Sequence, residues 1–175
     1  MLGLLIYARR FALDNVNFVL LMLFLSMHLL GARYLYTNVP YDRWTAQLFG
    51  SPLSSWFGWE RNHFDRLTHF AYGLCLVRLF QTTLVSRLRL SERAAGWFAV
   101  EWVLASSALY ELFEWLIAAT LSPAAAEGYN GQQGDMWDAQ KDMALATLGA
   151  AMMQWMIHMK WITSSSAAPI IKYPQ

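Results

Sequence analysis

The sequence predicts an all-α fold, a polytopic transmembrane helical bundle of about four spans. Three observations carry this. The chain is 57% hydrophobic and only 14% charged, where a soluble domain carries about 25% charged residues. Its apolar residues gather into four stretches, each near the roughly 20 residues needed to cross a bilayer core. Aromatic residues are abundant, with nine Trp and eight Tyr, as suits a protein with two water–lipid boundaries.

The stretches run from about Val16 to Tyr36, Leu67 to Val85, Gly96 to Leu121 and Met143 to Ile162, none with an interior Pro. One transmembrane domain over 1–162 and a polar tail over 163–175 follow from this. Met1 to Tyr7 is apolar but too short to span, and Arg9 and Arg10 end it. A signal peptide has the reverse order, so this segment reads as an interfacial anchor or the tail of a longer hydrophobic segment. The 37–66 connection contains Pro40, Pro52, Gly50 and Gly58 among aromatics, and reads as an ordered loop at the interface. The single cysteine, Cys75, excludes a disulfide framework or a Cys-based zinc site within one chain. A net charge of +1 gives no field suited to nucleic acid.

Lys and Arg favour the cytoplasmic side. Arg9 and Arg10, then Arg87, Arg89 and Arg93, then Lys160 and Lys172 fall on one side of a four-span chain. The 122–140 loop has neither Lys nor Arg. Both termini are therefore expected inside and the two larger loops outside.

Ionisable residues within spans cost several kcal/mol and usually mark function. In RNHFDRLTHF, Asp65 and His69 share a helical face, with His63 just before. In YELFEW, Glu111 and Glu114 share another. In GDMWDAQKDM, Asp135, Asp138 and Asp142 form one stripe. The first and third spans end outside, and the second and fourth begin there, so all these groups are expected in one pocket at the outer mouth.

Carboxylates with imidazoles form the ligand set of Zn, Mn, Fe or Mg. His63, Asp65, His69, Glu111, Glu114, Asp135, Asp138 and Asp142 are the candidate ligands of a divalent metal ion. Asp65, His69, Glu111 and Glu114 are also the catalytic candidates. Arg61, Arg66 and Tyr34 are the groups expected to hold a substrate's phosphate or carboxylate. Plainer roles compete. Asp65, Asp135 and Asp138 suit helix N-termini as caps, and Arg61 and Arg66 suit neutralising partners of the acids. His28 suits an interhelical hydrogen bond. Glu111 and Glu114 resist such a role, because a helix C-terminus disfavours anions. The small residues Ala144, Ala146, Gly149, Ala150 and Ala151 suit close helix contact.

The ordered strings GARYLYTNVP, RNHFDRLTHF, YELFEW and GDMWDAQKDM resemble the YjdF-like family of bacterial inner-membrane proteins, over roughly Arg10 to Met153. More distantly, Asp65, Arg66, His69, Phe70, Glu111 or Glu114, Asp138, Asp142 and Gly149 fill the pattern of VanZ-like membrane proteins, which are linked to glycopeptide (teicoplanin) resistance. The resemblance implies a multi-pass inner-membrane location and prescribes no reaction. The family usually has hydrophobic sequence upstream of this chain's start, so an N-terminal span is expected to be missing here.

Three functions compete in this order: a metal-dependent membrane enzyme acting on a lipid or cell-envelope precursor, a cation or small-solute carrier, and a non-catalytic envelope protein with a structural polar network. The inner halves of the spans are mostly apolar, which lowers the carrier.

Overall fold

The computed structural model describes residues 13–121 and 131–162. The expected N-terminal anchor, the basic pair Arg9 and Arg10, the start of the 122–140 loop and the polar tail lie outside the described residues. Within them the chain is all-helical, in the order α1 Asn15–Arg33, α2 Tyr41–Phe49, α3 Leu53–Phe57, α4 Phe64–Leu88, α5 Glu92–Thr120 and α6 Asp138–His158.

Local chemistry sets the boundaries. Asp14 caps α1 by accepting from the Asn17 amide at 2.8 Å. Ser91 caps α5 through the Ala94 amide at 3.3 Å. Gly50 and Gly58 end α2 and α3 in the left-handed conformation, which glycine adopts without a Cβ penalty. The 37–66 connection therefore contains two short helices rather than plain loop. The first apolar stretch is helical only to Arg33, and the chain then turns through 34–38. The last helix starts at Asp138, five residues before its apolar stretch, so Asp138 and Asp142 stand in its first turns.

α4 is the central helix. It packs against α1, α5 and α6, most extensively α6, while α5 and α6 also meet. The α4–α6 seam is closed by two glycines. A Cβ on Gly73 overlaps the Ala146 carbonyl oxygen, and one on Gly149 overlaps that of Phe70 and lies 2.8 Å from the Leu74 amide nitrogen. Small residues let the backbones touch. Ala146, Gly149 and Ala150 are buried there, whereas Ala144 and Ala151 face outward. Val77, Ala99, Val103, Ala146, Ala150 and Met153 form the apolar core.

The outer faces are strongly apolar. Leu29, Trp97, Trp102, Leu109 and Trp115 are each at least 60% exposed, as expected when lipid is the solvent. Two helices, α1 and α5, are long and apolar enough to cross a membrane, with mean hydropathies of 1.7 and 1.2. α4 and α6 are long but more polar, because they carry the charges of the interior: Asp65, Arg78, Asp138 and Asp142 are all buried.

Candidate functional site

The polar residues at one end of the bundle separate into two groups. The first begins at the start of α4. His63 is the N-cap and offers no side-chain bond, while Asn62 Oδ1 just before it accepts from the Phe64 amide at 3.0 Å. This leaves Asp65, one residue inside the helix, turned inward and 9% exposed. One helical turn later His69 shares its face, with Nε2 3.8 Å from Asp65 Oδ1. Glu111 of α5 places Oε1 3.5 Å from the same nitrogen, but without hydrogen-bond geometry, so that oxygen has no partner. Asp142 of α6 completes the group. It is 2% exposed, and its Oδ1 also lacks a partner. One ligand atom each from Asp65, His69 and Asp142 lie within 4.8 Å of one another. Glu114 stands a turn below Tyr110 on α5 and accepts its hydroxyl.

The second group stands beside the first. Asp138 accepts from Arg61 Nη1 at 2.7 Å and from Arg66 Nη2 at 3.0 Å. Asp135 meets Arg66 and Lys141, both at 2.5 Å, and Arg61 at 3.5 Å. The two arginines thus face Asp135 and Asp138 and neutralise them. The Lys141 ammonium, then the Trp137 amide, hold the Asp135 carboxyl well below the ordinary carboxylate range. Arg61 also donates to the Gly131 and Gln132 carbonyls, both at 3.2 Å. Gln133 exchanges hydrogen bonds with the Asn62 backbone at 2.9 and 3.0 Å. The segment 131–135 is thereby fixed over the start of α4, and a Cβ on Gly131 comes 3.6 Å from Asp65 Oδ2.

His63 stands at the edge of the second group. Its ring packs edge-on to Trp59, with centroids 4.7 Å apart, and Nδ1 is 3.4 Å from Arg66. Burial, then the charges of Arg66 and Arg61, push its imidazole below the usual histidine value. Tyr34 lies at the end of α1, edge-on to Trp44. Of the eight candidate ligands, the structure gathers Asp65, His69 and Asp142, with Glu111 beside them. It sets His63, Asp135 and Asp138 against arginines and Glu114 against the Tyr110 hydroxyl.

Several groups lie outside the candidate ligand, catalytic and substrate-binding residues. A cavity of about 210 Å³ reaches Asp65 and His69 and is also lined by His28, Tyr36, Ser107 and Tyr110. Tyr36 Oη is 2.8 Å from His28 Nδ1. Tyr36 lies beyond the end of α1, in the turn that follows, so helical periodicity does not announce the pair. At the opposite end Arg78, 1% exposed, pairs with Asp14 at 2.9 Å. A charge in the middle of an apolar stretch was the visible signal there.

Helices with lipid-suited outer faces around buried charge define a class, the helical integral membrane proteins. Comparison with known sequences agrees. The family model described as "Predicted membrane protein (DUF2238)" matches residues 1–161, and the chain belongs to that family. It is similar to the inner membrane protein YjdF of Escherichia coli (strain K12), with 36% identity over 148 residues, 84% of this chain and 66% of the relative. The YjdF-like resemblance therefore holds, while neither match carries the likeness to VanZ-like proteins. No solved structure matches.

Proposed function

We propose that the chain is a four-span inner-membrane protein whose Asp65, His69 and Asp142 hold a divalent cation at the outer face, and that it acts there as a metal-dependent enzyme on a lipid or envelope-precursor substrate. The observation that carries this reading is Asp142: almost fully buried, with an unpartnered oxygen, beside an imidazole and a second carboxylate. A buried ionised oxygen without a partner is costly, and a divalent cation removes that cost. Two carboxylates and one imidazole leave coordination positions open for a substrate oxygen, which the cation polarises. Glu111, with its own unpartnered oxygen 3.5 Å from His69, is the nearest further ligand or base. Arg61 and Arg66 anchor the 131–135 segment above the site and are given no substrate role. The inner-membrane location printed for the relative and the basic short loop after α4 support the orientation.

Carrier activity is less well supported, because the apolar layer of Val77, Val103 and Met153 separates the cluster from Arg78 at the other end. A purely structural network describes Arg61, Arg66, Asp135 and Asp138 well, but leaves the orphaned oxygens of Asp142 and Glu111 unexplained.

Manganese titration of purified protein, followed by electron paramagnetic resonance, tests the reading. One bound ion per chain is expected, lost in Asp142→Asn and His69→Ala and retained in Asp135→Asn. Folded wild-type protein that binds no Mn²⁺, Zn²⁺ or Mg²⁺ overturns it.

A further inference from the structure

The cavity over Asp65 and His69 has walls that the cation reading does not use. Phe24 and His28 of α1 form one side, and Ser106, Ser107 and Tyr110 of α5 the other. Thr68, His69 and Tyr72 of α4 form the floor. α1 packs mainly on α4, and α5 packs on α4 and α6, so the cavity is the gap between α1 and α5. It is partly enclosed and partly open. α1 and α5 are also the two helices apolar enough to span, and their remaining faces expose Leu23, Leu29, Trp102 and Leu109. The helices on both sides of the gap carry such apolar faces, so membrane-resident molecules are the occupants it would meet in a bilayer.

Two features equip the cleft for a polar group as well as a chain. Ser107 is 3% exposed, lines the cavity, and its Oγ has no hydrogen-bond partner. Across from it the Tyr36 ring is held over α1 by unusual means. Leu35 and Tyr36 both have positive φ, 52° and 53°, which side chains other than glycine seldom adopt. The Tyr36 amide donates back to the Gly31 carbonyl at 2.7 Å. The ring also occupies the space a Cβ on Gly31 needs. Backbone held in such a conformation beside a cavity is a reason to look for function there, and here it delivers a phenol onto His28 Nδ1 at 2.8 Å.

We propose that this cleft admits a phosphate-bearing membrane lipid from the side, with an acyl chain between α1 and α5 and the head group between Ser107, the Tyr36–His28 pair and the Asp65–His69 end. Hydroxyl and imidazole groups donate to phosphate oxygens. The acids at the cleft's end repel a bare phosphate, so contact there runs through the cation; that part of the inference rests on the function proposed above. The cleft's occupancy by a chain does not depend on it.

Photolabelling tests this. The protein is placed in nanodiscs containing phosphatidylethanolamine with a diazirine near the head-group end of one acyl chain, illuminated, and mapped by mass spectrometry. Label on Phe24, Tyr72 or Ser106 is expected, falling to background in Ser107→Phe, which fills the cleft, while label on the outer residues Leu23 and Trp102 stays. Label confined to outer residues in the wild type, or cleft label unchanged in Ser107→Phe, overturns the proposal. Mn²⁺ binding is measured on the same samples. Bound Mn²⁺ with no cleft label overturns the lipid site and leaves the cation reading standing. Cleft label on protein that binds no Mn²⁺, Zn²⁺ or Mg²⁺ supports the cleft and overturns the cation reading. Competition by glycerol phosphate, without added lipid probe loss in its absence, separates a free phosphate site from a lipid one: complete displacement of the label by this chainless head group overturns the lipid assignment.

Discussion

Gly149→Val links helix packing to the cation cluster. A Cβ at Gly149 overlaps the Phe70 carbonyl and lies 2.8 Å from the Leu74 amide nitrogen. Both are backbone atoms of α4, so no side chain can swing aside. Restoring ordinary contact requires α4 and α6 to part by on the order of 1 Å, and forced overpacking of this kind costs about 1–3 kcal/mol. Asp142 lies two turns before Gly149, about 10 Å along the same helix, and it is the one member of the Asp65–His69–Asp142 group on α6. Metal sites tolerate ligand displacements of about 0.2 Å, so parting the helices weakens the site as well as the fold. The expected result is a lower thermal midpoint in detergent and a Mn²⁺ affinity reduced at least roughly tenfold, equivalent to about 1.4 kcal/mol. Ala151→Val, on the exposed face of α6, is the control and leaves both measurements near wild type. A Gly149→Val protein that melts early yet binds Mn²⁺ as tightly as wild type refutes the coupling between seam and site. One that matches wild type in both refutes the close approach itself.

The remaining expectations concern the ion-pair group. Asp138→Ala leaves Arg61 and Arg66 facing Asp135 alone, and removing one partner from a buried set costs about 3–5 kcal/mol; a chemical-denaturation midpoint unchanged from wild type contradicts this. The Asp135 carboxyl is held below its ordinary value of 3.8, so its contribution is full above that value and disappears as pH falls through the lower folded value. Amide exchange over 131–135, corrected for intrinsic rate, is expected to stay slow at pH 5 and to rise only in stronger acid. Release already at pH 5 contradicts the assignment. For His63 the folded imidazole is lowered from 6.5, so it stays neutral through mild acidification and the stability it contributes above 6.5 is lost below it. Its ring-proton resonance, assigned with His63→Gln, is expected to titrate below 6.5, and a midpoint at or above that value contradicts the environment described.

The sequence by itself determined that the chain is helical and membrane-suited. Apolar runs and missing charge depend on composition along the chain, and bilayer insertion reads that quantity directly. It also determined which acids and imidazoles share a helical face, because the 3.6-residue period places Asp65 with His69 and Glu111 with Glu114 whatever surrounds them. Only the tertiary structure decided how those faces meet. Asp135, Asp138 and Asp142 are expected as one helical stripe, but α6 begins only at Asp138, so Asp135 sits in the turn before it; Asp135 and Asp138 meet Arg61 and Arg66 while Asp142 turns to Asp65 and His69. That division depends on where α6 starts and on contacts between residues about seventy positions apart. The cleft was equally hidden. It requires α1 and α5 to lean on α4 with a gap between them, and Tyr36 to adopt a positive φ, and neither a helix–helix gap nor a single backbone angle leaves a periodic trace in the amino-acid order.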